Sequence, residues 1–384
     1  VYKRQKLYDA VQKAIDKAKL LADVVIGLGH LGVDPSSSPW TSEEVIAHTS
    51  GFDAFIDGHS HTVMENKQVQ DASGKAVTLT QTGSYFANVG EMTIAADGTI
   101  TTKLIPTHEG MDAGIAAMQT SWVNTVDDML GEKIAVGDSD FYVSDPATGK
   151  RRIRSAETNL GDFVADGIYT YFNEVEKLHC DVAIMNGGGI RADVPAGDWT
   201  FKTCKQISPF GNVACLMSVT GKQIQDALEF GARFVGPEGK ENGGFLHVAG
   251  ATYEIHTDIP NTVLIDDKNV WMGSATGTPR VQNVKIYDKV LGDYVPLDPE
   301  RKYALAGMNY TLRNLGDGFA MFDGATLIKD YVSEDYLVMS TYAMIFDAVN
   351  DVPVLSSANS PLASYPGYLL NYENPYGAGR IQVV

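Results

Sequence analysis

The chain has 384 residues, of which 44% are hydrophobic and 20% are charged, and its formal net charge is −18. This length and apolar content predict two domains, each with its own core. The negative charge argues against binding to a nucleic-acid duplex, which relies on clustered Lys and Arg side chains. No apolar run in the sequence approaches the roughly 18 residues that a membrane-spanning helix needs, so we predict no transmembrane span.

The first hundred residues repeat one pattern, in which a helix is followed by a strand and then by a histidine. Residues 6–21 place apolar side chains at helical spacing, and residues 23–28 predict a buried strand. Thr41 and Ser42 are suited to cap a short second helix, and residues 52–56 predict a second strand. Because both strands lead into histidine-bearing loops, we expect an α/β sheet with a site at the carboxyl edge of its strands.

The sequence changes character after this repeat. Residues 77–105 are rich in Thr, Val and Ile around Asp97-Gly98, which predicts a β-hairpin. Residues 112–130 predict a helix that stops at Gly131. We therefore predict a first domain over residues 1–111, a connecting helix over 112–131 and a second domain over 132–384.

The second domain mixes helices and strands, and its cysteines resemble core residues. Helices are predicted over residues 158–171 and 221–234, and strands over 182–185 and 213–219. Residues 358–375 are rich in Pro, Ser and Asn and predict loops. The three cysteines form no Cys-x-x-Cys pair, so we expect buried thiols and not metal ligands; they are Cys180, Cys204 and Cys215.

Three histidines at the strand ends are candidate metal ligands. His59 and His61 lie two residues apart, so in an extended segment their imidazoles point to the same side. His30 follows the other strand between Gly29 and Gly32, where small neighbours leave room for a ligand. Any one of them alone is better explained by a bond to a loop carbonyl. Together they favour a site for zinc, manganese or a similar ion.

Two groups of residues in the second domain are suited to a phosphorylated ligand. The turn Asn186-Gly187-Gly188-Gly189-Ile190-Arg191 combines close backbone approach with a guanidinium that can bind an anion in a bidentate manner. Phe245 and Tyr310 lie in loops rich in Gly and Asn, where aromatic rings can stack on a base. Asp317, an acceptor when ionised, suits ribose hydroxyls. Each feature alone is better explained by a structural role.

The histidine loops resemble a known family. The segments 29–32 and 57–62 resemble the last two metal-ligand motifs of calcineurin-like metallophosphoesterases of the 5′-nucleotidase type. The resemblance implies two divalent ions, Zn, Mn or similar, with His30 and His59 on one and His61 on the other. The family's earlier motifs, which supply a bridging Asp and the catalytic His, do not occur in this chain. We therefore assign no catalytic residue here, and expect an N-terminally truncated chain that hydrolyses nucleotides poorly by itself.

The second domain resembles the C-terminal domain of the same family, chiefly through the turn at residues 186–191. This resemblance implies substrate contacts from Asn186, Gly188, Arg191, Phe245, His247, Tyr310 and Asp317. The sequence departs from the family in having His247 where Asn or Gln is usual and Leu315 where a Gly is usual. The family motif Pro209-Phe210-Gly211-Asn212 is interpreted as structural. Further family matches are interpreted as ordering a loop; they are Arg154, Glu157 and Asn159.

The implied fold is a partial α/β metallophosphoesterase, a β-sandwich flanked by helices, followed by a mixed α+β C-terminal domain. The implied activity of the full-length protein is metal-dependent hydrolysis of nucleoside monophosphates to nucleoside and phosphate. Two alternatives stay open. One is a related hydrolase of 2′,3′-cyclic nucleotides, nucleotide sugars or diphosphates, and the other is a nucleotide-binding surface module without catalysis. The family also implies a secreted, periplasmic or cell-surface location.

Overall fold

The computed structural model describes residues 2–34, 37–38, 40–107, 110–236 and 241–384, with side chains from residue 7 onward. The described residues fall into two compact units, divided between residues 116 and 117. Among them, no helix has both the length and the apolar character required to cross a membrane.

The first unit contains a four-stranded sheet and a separate hairpin. Its elements are α1 (Tyr2–Lys19), β1 (Ile26–Leu28), α2 (Ser42–Ala47), β2 (Ala54–Asp57), β3 (Val63–Gln70), β4 (Ala76–Thr82), β5 (Asn88–Ile94) and β6 (Ile100–Pro106). The sheet order is β1-β2-β4-β3, with β1, β2 and β4 parallel and β3 antiparallel to β4. Strands β5 and β6 pair as an antiparallel hairpin around Asp97-Gly98, as the sequence predicts.

The helix-strand repeat of this unit is confirmed, but one strand is less buried than predicted. Thr41 caps α2 by accepting a hydrogen bond from the backbone N–H of Glu44, and α1 buries Tyr8 and Ile15 against the sheet. The sequence predicts that β1 is buried, yet Leu28 is 83% exposed. The reason is that β1 is the edge strand of the described sheet.

Helix α3 (Ala113–Leu130) begins within one residue of its predicted start, and the boundary between the two units falls in its first turn. Gly131 follows its last residue, and the Gly131 N–H donates to the carbonyl of Asp127 at 2.7 Å. No side chain of α3 is buried. The assignment of residues 112–131 as a connector between domains stays a prediction.

The second unit is built from three larger sheets and a two-stranded ribbon. Its helices are α4 (Asn159–Thr170), α5 (Phe201–Ile207), α6 (Gly221–Gly231), α7 (Asn309–Leu312) and α8 (Asp335–Met344). Its strands are β7 (Lys133–Gly137), β8 (Val182–Asn186), β9 (Gly197–Thr200), β10 (Ala214–Thr220), β11 (Leu246–Ala249), β12 (Ala251–Ile255), β13 (Leu264–Ile265), β14 (Trp271–Gly273), β15 (Val281–Asp288), β16 (Asp293–Pro296), β17 (Lys302–Met308), β18 (Thr326–Lys329), β19 (Ala348–Val349), β20 (Val352–Leu355) and β21 (Ile381–Val383).

A five-stranded sheet with the order β11-β8-β17-β10-β18 divides the core of this unit into two clusters. Along β8, Ala183 and Met185 belong to one cluster, while Val182 and Ile184 belong to the other. This alternation follows from the two-residue period of a strand. Because both faces are covered, the sheet is a rigid support for the loops at its ends.

The topology of this sheet brings four loops to one edge. Strands β8 and β17 are parallel, so the segments that follow Asn186 and Met308 leave the sheet on the same side. Strands β10 and β11 run antiparallel to them, with Ala214 opposite Met308 and Leu246 opposite Asn186. The loops that precede β10 and β11 therefore lie at that edge as well. This edge holds most of the residues that the sequence singled out in the second domain.

The predicted elements of this unit are present with small shifts at their ends. The predicted strands correspond to β8 and β10, and the predicted helices correspond to α4 and α6. The three cysteines are buried and free, as expected. Burial raises the pKa of Cys204 and of Cys215 to about 12, which keeps both thiols protonated and unreactive. The tail at 358–375 forms turns and loops as predicted, together with a short 3₁₀ helix (Pro361–Ser364). Tyr368 and Tyr372 within it are core residues.

Candidate functional site

The carboxylate of Asp317 lies at the edge of the five-stranded sheet where the four loops meet. Asp317 Oδ1 accepts a hydrogen bond from the Tyr310 hydroxyl at 3.0 Å, and Asp317 Oδ2 accepts one from Asn186 Nδ2 at 3.3 Å. These contacts join the loops after β17 and β8, as the parallel strand pairing requires. Each carboxylate oxygen keeps a further lone pair that can accept a donor from a ligand.

The loop that carries Asp317 has a strained backbone. Leu315 and Asp317 both adopt positive φ, at 55° and 54°, a region that favours glycine. The Tyr310 ring fills the space beside Gly316, where an added Cβ would lie 2.5 Å from the ring. Strain of this kind persists where neighbouring contacts hold the backbone in place. Here those contacts fix the position of the Asp317 carboxyl.

The triple-glycine turn is explained by close packing. Residues 187–189 form one turn of 3₁₀ helix, and none of the three glycines has a positive φ. An added Cβ would lie 2.2 Å from the Ile153 carbonyl oxygen at Gly187, and 3.0 Å from the Gly243 carbonyl oxygen at Gly188. The glycines therefore allow two other backbone segments to approach the turn.

Arginine side chains lie around this turn. Arg191 Nη1 donates to the carbonyl of Gly188 at 3.2 Å. Burial, followed by repulsion from Arg151 and Arg191, lowers the pKa of Arg154. The acid that faces it, Glu241, lies 3.8 Å from Arg154 Nη1 and is half exposed, and Arg154 Nε is buried without a hydrogen-bond partner. A bound anion would relieve both the repulsion and the missing bond.

Phe210 is an exposed aromatic side chain at this edge, although its motif was predicted to have a structural role. It is 57% exposed, and the Arg191 guanidinium lies 5.6 Å from the centre of its ring. Its loop is tied to the Tyr310 loop, because Val213 N donates to Asn309 Oδ1 at 2.9 Å and Asn309 N donates to the Val213 carbonyl at 2.8 Å. An aromatic residue between Pro209 and Gly211 was the available signal.

The prediction that Phe245 presents its ring to a ligand is wrong in this structure. Phe245 is fully buried and packs in the second core cluster of the unit. Its contribution to the edge comes from its backbone, since its carbonyl accepts the N–H of Gly187 at 2.7 Å. Gly243 and Gly244, which indicated an exposed loop, come directly before Phe245, and β11 begins at the next residue.

The prediction that His247 contacts a ligand is wrong for the same reason. His247 is fully buried, and its Nε2 lies 2.8 Å from the Ile153 carbonyl. Burial lowers its pKa to about 4, so the ring is neutral and Nε2–H is the donor. His247 thus supports the segment that carries Arg154. Glu157 and Asn159 order loops as expected, whereas Arg154 itself belongs to the edge.

The three candidate metal ligands are only partly brought together. The rings of His30 and His59 are 5.2 Å apart, whereas His61 packs against Tyr85 at 6.2 Å. The carboxyl of Asp57 accepts the backbone N–H groups of Leu31 and Gly32 at 2.8 and 3.0 Å, and it thereby orders the loop that carries His30.

The described residues do not form a complete metal centre. Within that part of the chain, no group of three or more His, Cys, Asp or Glu side chains is arranged to bind one ion. A tetrahedral zinc site uses four ligands, and a two-metal site also needs bridging groups. His30 and His59 can supply two nitrogens. The pair does not fit a two-metal centre by itself.

Comparison with known proteins identifies the family. The family model described as 5′-nucleotidase, C-terminal domain, matches residues 135–324. The trifunctional nucleotide phosphoesterase YfkN of Bacillus subtilis is 30% identical over 328 residues, which cover 82% of this chain and 20% of that protein. Residues 135–324 belong to the family of 5′-nucleotidase C-terminal domains. The 5′-nucleotidase of Rattus norvegicus is 25% identical over 401 residues, which cover 94% of this chain and 64% of the rat enzyme.

A solved structure shows the fold of the family. The 5′-nucleotidase precursor of Thermus thermophilus matches 98% of this chain and 67% of its own chain, with a TM-score of 0.65 and 23% identity. The fold is thus that of the 5′-nucleotidase family, with a metallophosphoesterase part followed by a C-terminal domain of mixed sheets. This chain spans 64% of the rat 5′-nucleotidase and a fifth of YfkN.

Proposed function

We propose that the second unit, which corresponds to the predicted domain 132–384, binds a nucleotide at the sheet edge. In this proposal Asp317 accepts the ribose hydroxyls, and the Phe210 and Tyr310 rings contact the base. Arg191 and Arg154 bind the phosphate. The single observation that carries it is the convergence of an acceptor, exposed aromatic surface and two cations on the edge where four loops meet.

Asn186 and Gly188 have supporting positions in this proposal. Asn186 Nδ2 holds Asp317 Oδ2 and also lies 3.4 Å from the Gly243 carbonyl. Gly188 N donates to that same carbonyl at 2.8 Å. Both residues therefore hold the backbone and the carboxylate beside which the ribose would bind.

We further propose that the full-length protein hydrolyses nucleotide phosphate esters, as a 5′-nucleotidase does. The names of its relatives support this proposal. YfkN is named as a trifunctional nucleotide phosphoesterase, so the proposal specifies neither the position of the phosphate on the nucleotide nor the range of substrates. His30, His59 and His61 are proposed as metal ligands of that protein. The paired rings of His30 and His59 support the first two.

The binding proposal is tested by calorimetric titration of the chain with adenosine and with AMP. We expect both to bind, and AMP to bind more tightly because its phosphate pairs with the arginines. Arg191→Gln should reduce AMP affinity roughly tenfold while leaving adenosine affinity nearly unchanged. The matched control is Arg301→Gln, since Arg301 pairs with Asp181 away from this edge.

The same titration has outcomes that contradict the proposal. No binding of either ligand by the folded chain would exclude a nucleoside site at this edge. Equal loss of adenosine and AMP affinity in Arg191→Gln would contradict the assignment of Arg191 to the phosphate.

A further inference from the structure

Asp335 is a buried carboxylate that faces the Phe210 loop from behind. It is the first residue of α8 and is 2% exposed. Its Oδ2 accepts the backbone N–H of Asn212 at 3.1 Å, and its own backbone N–H donates to the Asn212 carbonyl at 2.8 Å. Its Oδ1 accepts the N–H of Tyr336 at 2.8 Å. The carboxylate is therefore bonded to the loop residue that lies two positions after Phe210.

Two further contacts hold the end of the Phe210 loop. Val213 bonds reciprocally with Asn309 and forms an isolated antiparallel bridge with Glu334. Asn212 and Val213 are thus held from α8 and α7, while the Phe210 ring itself extends outward and is mostly exposed. Because the backbone at Asn212 is already fixed, the loop loses less conformational entropy when the Phe210 ring packs on a base.

We propose that Asp335 is a positioning residue for nucleoside binding, whose ionised carboxylate holds the Phe210 loop in its binding conformation. The proposal rests on the proposed role of Phe210 in contacting the base. Asp335 does not touch the ligand. It acts through Asn212, whose N–H forms a charge-assisted hydrogen bond with the carboxylate.

The charges that face Asp335 make this contact sensitive to pH. Burial raises the pKa of Asp335 to about 6, while the N–H groups of Tyr336 and Asn212 and the Lys205 ammonium of α5 oppose the rise. Glu334, which precedes it in the chain, adds to the rise and pairs with Lys205 at 3.5 Å. As the pH falls through about 6, Asp335 takes up a proton and its bond to Asn212 weakens. The affinity for a nucleoside should fall with it.

The test compares the variant Asp335→Asn with the control variant Glu334→Gln. Glu334 is the neighbouring carboxylate and pairs with Lys205. Adenosine is titrated by calorimetry between about pH 5 and pH 8, so that no phosphate ionisation of the ligand contributes. We expect wild-type affinity to fall roughly fivefold on the acid side of pH 6, and Asp335→Asn to show that lower affinity throughout with no inflection. Glu334→Gln should keep the wild-type affinity at the alkaline end and still show an inflection, which moves to lower pH because the charge that raises the pKa of Asp335 is removed.

A second measurement covers the case in which Asp335→Asn fails to fold. The Asn212 amide of the wild-type chain is followed by nitrogen–proton NMR over the same pH range, and it should titrate together with adenosine affinity. A folded Asp335→Asn variant with wild-type affinity and pH profile would overturn the proposal, as would an Asn212 amide that does not titrate. If the wild-type chain binds no adenosine at any pH, the proposed function fails and this inference fails with it.

Discussion

The Tyr310 hydroxyl donates to Asp317 Oδ1 at 3.0 Å, and so links an aromatic side chain and the acceptor carboxylate of one site. Removing this bond should free a carboxyl whose backbone is held at positive φ. We expect Tyr310→Phe to weaken adenosine binding by about 1 kcal/mol, the net worth of one such hydrogen bond, while the ring remains to contact the base. Calorimetry measures the change. Adenosine affinity equal to that of the wild type would show that the bond does not orient Asp317 for the ligand.

Phe210 and Phe245 offer a direct comparison, since one ring is exposed and the other is buried. Phe210→Ala should weaken adenosine binding by about 1–3 kcal/mol, as expected for the loss of a stacking contact, with little change in stability. Phe245→Ala should lower the free energy of unfolding by about 3–5 kcal/mol through the cavity it leaves in the core. Urea unfolding and calorimetry separate the two effects. The assignment of the exposed ring to the ligand is refuted if Phe210→Ala binds adenosine normally.

The paired imidazoles of His30 and His59 predict weak metal binding by this chain. Equilibrium dialysis against Zn²⁺ or Mn²⁺ followed by elemental analysis should show bound metal in the wild type and a clear loss in His30→Ala/His59→Ala. His48→Ala is the control, because His48 lies in the same unit and stacks on Tyr8. Equal metal content in all three proteins would exclude the pair as ligands.

His247 predicts an acid-sensitive component of stability. Burial lowers its pKa to about 4, below the unfolded value of 6.5. Between these values the unfolded chain takes up a proton that the folded chain does not, so the fold loses stability as the pH falls. The full loss is roughly 3 kcal/mol from this one group.

The comparison protein for that effect is His247→Gln, which has no titrating side chain at the position. Urea unfolding at about pH 7.5 and about pH 5 should show a smaller pH dependence in the variant than in the wild type. The difference between the two proteins isolates His247 from other groups, including Asp335, whose raised pKa acts in the opposite direction. Identical pH dependence would mean that the ring is not buried and neutral in solution.

Local patterns predicted most of the elements in this chain, because apolar periodicity, capping residues and the Asp97-Gly98 turn act over short distances. The family resemblance, and not a local pattern, singled out Asn186, Arg191 and Asp317, which the structure brings together at the edge of the five-stranded sheet. Side-chain exposure was harder to predict. Phe245 and Phe210 both lie near glycines, and only the pairing of β11 with β8 places the first ring in the core.

The roles of Arg154 and His247 depend on contacts that are distant in sequence. His247 lies within hydrogen-bond distance of the Ile153 carbonyl. Burial and the charges of Arg151 and Arg191 lower the pKa of Arg154, whose Nε is buried without a hydrogen-bond partner. Neither relationship has a local signal. In the histidine loops, spacing alone permitted a site shared by His59 and His61. The family resemblance instead grouped His30 with His59, and these are the two rings that lie together in the structure.

The Ile153 carbonyl has two close neighbours, the Cα of Gly187 and the imidazole of His247. A side chain at position 187 would push that carbonyl away, and Arg154 follows it directly in the chain. Position 247 therefore needs a donor to this carbonyl, and the Asn or Gln that is usual in the family can supply one from its amide as His247 does from Nε2.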